Sequence, residues 1–141
     1  MIVTFCGHSD FVRTAEHEKA VYEILEKEIG YEEAEIYLGG YGAFDQFAYE
    51  SSSKFKMTHP NVSLVFVAPY LYGLSKYSEY DDIIYPSLEN VPKKFAITYR
   101  NKYMIENSDV VIAYVNRLYG GAYKSYSLAE KQGKKIYNLS K

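Results

Sequence analysis

The chain has 141 residues, 48% of them hydrophobic and 24% charged, with a formal charge of −2. That length suits one domain with a full core, and the balance of 16 basic to 18 acidic residues supplies no global field for nucleic acid or an anionic membrane. No apolar run approaches a membrane span, the first residues lack the basic leader of a signal peptide, and a single cysteine excludes an intrachain disulfide, so a reducing, cytoplasmic setting is expected.

In chain order, residues 2–6 read as a short buried strand. Thr14 is placed to cap a helix over about 15–29, with Glu16 and Glu18 in its first turn, an apolar stripe of Val21, Ile24, Leu25 and Ile29, and Gly30 at its end. Residues 36–38 form a second strand. Phe44, Phe47, Ala48, Ser51 and Phe55 then repeat at helical spacing to about residue 57. Residues 62–68 are a third strand closed by Pro69, and 69–90 read as a long connection of the kind that forms lids or binding loops. Pro92 suits the first turn of a helix to about residue 107. A fourth strand at 110–115, a helix at about 122–132 and a short fifth strand at 135–139 complete the order. Such alternation predicts a single α/β domain over 1–141, Rossmann-like and three-layered, with a mainly parallel five-stranded sheet and helices on both faces.

Two glycine-rich turns stand where a strand hands over to a helix. They are Gly39-Gly40-Tyr41-Gly42-Ala43-Phe44-Asp45 and Tyr119-Gly120-Gly121-Ala122-Tyr123-Lys124-Ser125. Glycine permits close backbone approach, and helix starts offer unpaired N–H groups with partial positive charge. Two such starts on one crevice predict a site for a phosphate-bearing molecule. The chain also carries 17 tyrosines and no tryptophan, many of them in expected loops, where they can stack on a base or simply pack.

These turns, with Phe5-Cys6-Gly7-His8-Ser9-Asp10-Phe11, Pro69-Tyr70 and the segment from Arg100 through Asp109, resemble the SLOG superfamily. That Rossmann-like group joins the DNA-processing protein DprA with the "lonely guy" phosphoribohydrolases, and the resemblance covers nearly the whole chain. It implies nucleotide-type ligands in the crevice, which some members sense and others cleave at the N-glycosidic bond. In the hydrolase branch's Arg-Lys-x-x-Met segment, Arg100 and Met104 match and Asn101 replaces lysine. The Pro-Gly-Gly-x-Gly-Thr-x-x-Glu segment is degraded: residues 116–119 insert before Gly120, and Ser127 occupies the glutamate position. A serine cannot replace a carboxylate beside an oxocarbenium-like centre.

The candidate ligand contacts are Gly7, His8, Gly39, Gly40, Tyr41, Gly42, Phe44, Asp45, Arg100, Asn101, Asn116, Gly120, Gly121, Ala122, Lys124 and Ser125. Arg100 offers a fork for phosphate, Asp45 either a ribose acceptor or a helix cap, and Tyr41 or Phe44 a stacking face. The expected function is binding of a nucleotide or an NAD- or ADP-ribose-type molecule, by a sensor or sequestering protein. The alternative is a nucleotide N-glycosidase, with Arg100 and a carboxylate from Asp45, Glu130 or Asp10. Nucleic acid is not the expected partner, given the charge balance. No cofactor or metal spacing is seen, Cys6 reads as a buried small hydrophobe, the acids at 79–82 as a solvated loop, and His17 and His59 as surface residues. Self-association, as a dimer or higher homo-oligomer, is expected from the resemblance and from the tyrosine content.

Overall fold

Along β1 (Ile2–Gly7), Val3 and Phe5 face one side of the sheet while Thr4 and Cys6 face the other, and all four are buried. A strand covered on both faces reads as a continuous apolar run, as expected of a parallel sheet between helix layers. The computed structural model describes all residues, Met1–Lys141. Its further strands are β2 (Ala34–Leu38), β3 (Val62–Val67), β4 (Asp82–Ile84), β5 (Val110–Tyr114) and β6 (Lys135–Asn138). They pair in the order β4-β3-β2-β1-β5-β6, every pair parallel.

The helices are α1 (Ala15–Glu28), α2 (Ala43–Thr58), α3 (Ala96–Glu106) and α4 (Gly121–Lys131). Val21 and Leu25 of α1 and Phe44, Phe47 and Phe55 of α2 pack with Val3, Phe5, Ile36 and Ile112 on one face. Ile105 of α3 and Ala129 of α4 cover Val111 and Ala113 on the other, beside Met104 against Val65 and Val67. Thr14 caps α1 as its sequence predicts: its Oγ1 accepts the His17 N–H and His17 Nδ1 accepts the Thr14 N–H, both at 3.2 Å.

The sheet has six strands, not five. The extra one, β4, lies inside the long connection and pairs Val65–Val67 with Asp82–Ile84. It spans only three residues and opens on an aspartate, so it carries no periodic signal. The connection is therefore anchored to the sheet at particular points, although none of residues 71–90 is buried. Tyr77, at the end of a 3-10 turn (Leu74–Tyr77), stacks on Phe66 at 3.6 Å between centroids. Asp81, expected in a solvated loop, accepts the Leu64 N–H at 2.7 Å and a Lys56 ammonium proton at 2.5 Å. His59 is also inside rather than on the surface, stacked between Phe55 and Tyr31 with Nε2 2.9 Å from a Glu26 carboxylate oxygen. His17 is half-buried, its ring against Phe11 and Tyr114. No helix is long and apolar enough to cross a membrane.

From β1 the chain steps outward to β4, then returns to place β5 on the other side of β1. The crossovers leaving β1 and β5 thus diverge onto opposite faces. Their divergence opens a crevice at the C-terminal ends of these strands, where ligands bind in open parallel sheets.

Candidate functional site

A crevice of about 380 Å³ occupies that position. Its walls come from the β1–α1 loop (Gly7 to Asp10), the starts of α2 and α4, and one side of α3. Gly42 (φ 89°) and Gly120 (φ 93°) occupy the N-cap positions of α2 and α4, a backbone region that favours glycine, and no side chain caps either helix. At α2 the first N–H, of Ala43, is taken by the Ser9 carbonyl at 3.0 Å, whereas the start of α4 faces the crevice with Gly121 and Ala122 and suits an anion. Gly7 serves packing instead: a Cβ there would sit 2.3 Å from the Phe44 ring.

Arg100 is only 2% exposed, although charged. It shares the inward stripe of α3 with Ala96 and Met104, four residues to either side. Its Nη1 donates to the carbonyls of Gly39 and Val67, each at 2.8 Å, and its Nε donates to Asn101 Oδ1 at 2.9 Å. Nη2 makes no hydrogen bond within the protein, and Arg100 lines the crevice. Burial pulls its pKa down, and Asp45 works against that. Asp45 accepts the Tyr41 N–H at 2.9 Å. Burial pushes its carboxyl up to about 6, against the Tyr41 hydrogen bond and the Arg100 charge.

Across the mouth, Arg117 grips Asp10 with both guanidinium nitrogens, at 2.8 and 3.0 Å. The pair joins the β1–α1 and β5–α4 loops. It raises the Arg117 pKa and lowers that of Asp10. His8 is buried behind it, and its Nε2 accepts the Asn116 N–H at 3.1 Å, which leaves the ring proton on Nδ1. Burial, then Arg117, lowers the His8 pKa, so the ring is neutral at pH 7.

Of the residues expected at the site, Gly7, His8, Tyr41, Asp45, Arg100 and Asn101 line the crevice, as do Gly120, Gly121, Ala122 and Ser125. Gly39 and Gly40 border a neighbouring cleft. Phe44 does not offer a stacking face: it is fully buried against Phe5, Phe11 and Phe47. Asn116 contributes its backbone to His8, Lys124 is exposed beside the α4 start, and Gly42 meets Ser9 rather than the cavity. Glu130 is exposed and, like Ser127, lies outside the lining. Arg117 was missed by the sequence reading. Its only signal is a basic residue just before the second glycine turn, and its partner Asp10 is 107 positions away.

No protein-family model and no curated protein sequence matches this chain. Among solved structures, DNA-processing protein A (DprA) from Streptococcus pneumoniae superposes with a TM-score of 0.64 at 15% identity, over 96% of this chain and 49% of that one. DNA-processing protein A from Helicobacter pylori, described for its single-stranded DNA binding mode, gives 0.61 at 24% identity, over 96% and 63%. The chain thus spans about half of the first protein and less than two thirds of the second, and at these identities the likeness is one of fold, Rossmann-like α/β.

The likeness corrects two expectations. Proteins sharing this fold process DNA, and one is described as binding it single-stranded, so a small nucleotide-derived ligand for a sensor or sequestering protein is set aside. The N-glycosidase alternative gains no support. The expectation against nucleic acid is set aside too. It rested on net charge, and a sum does not locate charges: eight of the 18 acidic residues fall between Glu16 and Glu35, five of them on α1, two in its link into β2 and one on β2. In a parallel sheet that link lies at the edge opposite the crevice.

Proposed function

We propose that this chain is a SLOG-superfamily domain, cytoplasmic, that binds single-stranded nucleic acid along the C-terminal edge of its sheet. A backbone phosphate occupies the crevice, facing the uncapped start of α4 and the guanidinium groups of Arg100 and Arg117. The observation that carries this reading is that the crevice does not end at Arg100. Tyr41, Ile97 and Arg100 line both it and a second cleft beyond, so the site is a track rather than a closed cup. A track suits a strand, which enters and leaves. The kinship of fold with DNA-processing proteins supports the same reading.

Arg117 exchanges its grip on Asp10 for a phosphate, since a carboxylate and a phosphate offer the guanidinium similar paired acceptors. Asn101 and the carbonyls of Gly39 and Val67 hold Arg100 so that its remaining N–H edge meets the ligand.

The test is fluorescence anisotropy with a labelled oligothymidylate of roughly ten nucleotides, titrated at several salt concentrations. Binding is expected, weakening with salt, and Arg117→Ala is expected to lower the log–log salt slope by about 0.7, the share of one phosphate on a single strand. Absence of binding by folded protein at low salt overturns the reading.

A further inference from the structure

The second cleft encloses about 280 Å³ between the first glycine turn and the 69–77 segment. Its walls carry the rings of Tyr41, Tyr70, Tyr72 and Tyr77. Two of these are plates backed by a second ring. Tyr77 stacks on Phe66 at 3.6 Å and 12°, and Tyr70 on Tyr72 at 5.0 Å and 14°. The Tyr70 hydroxyl is also tied, donating to the Lys93 carbonyl at 3.2 Å. The Tyr41 side chain, by contrast, is largely exposed, at 65%. Lys76 and Arg100 line the cleft as cations, and no carboxylate does.

We infer that this cleft is a nucleobase-stacking subsite, which takes the unpaired base adjoining the phosphate held in the crevice. The inference rests on the single-strand reading above and adds to it a base-binding position and a preference for unpaired over duplex nucleic acid.

Three features favour a base as the occupant. Rings already fixed by a neighbouring ring lose little freedom on stacking, so contact with a flat aromatic ligand is pre-organised. The two cations without a lining acid complement the phosphates flanking a base. The shared wall of Tyr41, Ile97 and Arg100 sets the cleft directly beside the crevice, so a base and the adjoining phosphate of one strand can occupy the two. A paired base presents no free face, so a duplex cannot enter. With its hydroxyl turned to Lys93, Tyr70 offers a base its face rather than a hydrogen bond to its edge.

The experiment compares oligothymidylate with an abasic strand of the same length, which keeps the phosphates and lacks the bases, and with the matching duplex. Tyr70→Ala is expected to weaken oligothymidylate binding roughly five- to 150-fold, the span for loss of one stacked base, and to leave the abasic strand unaffected. Tyr70→Phe keeps the flat face and loses only the hydroxyl tied to Lys93, so it is expected to restore oligothymidylate binding to near the parent level. Equal binding of the abasic strand and oligothymidylate by the parent, or equal losses on both in Tyr70→Ala, overturns the subsite while the crevice reading stands. Binding of no strand by the parent overturns both, and salt-dependent loss in Arg117→Ala separates the two, because it reports on the crevice alone.

Discussion

Arg100 and Gly39 are joined by a buried hydrogen bond of 2.8 Å, from a guanidinium on α3 to the carbonyl that opens the first strand-to-helix turn. The same Nη1 also reaches Val67, so one side chain fastens the ends of β2 and β3 under the track. A positive charge is thereby stored below the ligand position and aimed by backbone, with little freedom left to lose.

Arg100→Ala is expected to cost about 2–5 kcal/mol of stability, because it strands two buried carbonyls and empties a large buried volume. Urea denaturation measures this. Arg100→Lys keeps the charge but cannot reproduce the fork, so its stability is expected to fall between parent and alanine variant.

Asp45 makes stability depend on pH in a defined direction. Its folded pKa, about 6, lies above its ordinary 3.8, so the folded state holds the proton more tightly than the unfolded state. Its contribution is fully present below about pH 4 and is lost as pH rises through about 6. Asp45→Asn is expected to remove that slope and to stabilise the protein at pH 7 by on the order of 2 kcal/mol, read from denaturation curves between pH 4 and 7. It is also expected to tighten strand binding, by removing a negative charge near the phosphate.

Two adjacent glycines separate backbone strain from ligand access. Gly120 has φ 93° and ψ 175°, a region essentially confined to glycine, with open space around its missing Cβ, so Gly120→Ala is expected to cost about 1–3 kcal/mol through conformation alone. Gly121 lacks the positive φ and also has nothing within 4 Å, so Gly121→Ala is expected to leave stability nearly unchanged. Because Gly121 lines the crevice, its new methyl is expected to lower strand affinity severalfold in the anisotropy titration.

On the proposed single-strand reading, the Asp10–Arg117 pair competes with a phosphate for one guanidinium. Asp10→Asn is expected to raise strand affinity severalfold, mostly through faster association at low salt, while the melting temperature moves little, since Asp10 is exposed and Arg117 only half-buried. Stopped-flow association rates at two salt concentrations measure it.

Periodicity and punctuation in the sequence determined most of the fold and the place of the site. Continuous apolar runs marked the long strands, Thr14 the start of α1, and the glycines at 39–42 and 120–121 the turns around the crevice. These are local signals, set by backbone geometry and by burial of neighbouring residues. Arg100, expected from the sequence to reach the crevice, does line it, and its position between Ala96 and Met104 on one helical stripe carried the signal of its burial. Only the tertiary structure decided the rest. Pairing with β3 created β4 from three residues without a pattern, and close packing took Phe44 and His59 inside. The Asp10–Arg117 pair and the cleft beyond Arg100 likewise depend on residues far apart in the chain. Contacts of that kind leave no mark on local periodicity, and neither they nor the distribution of charge can be read from a composition of 16 basic and 18 acidic residues.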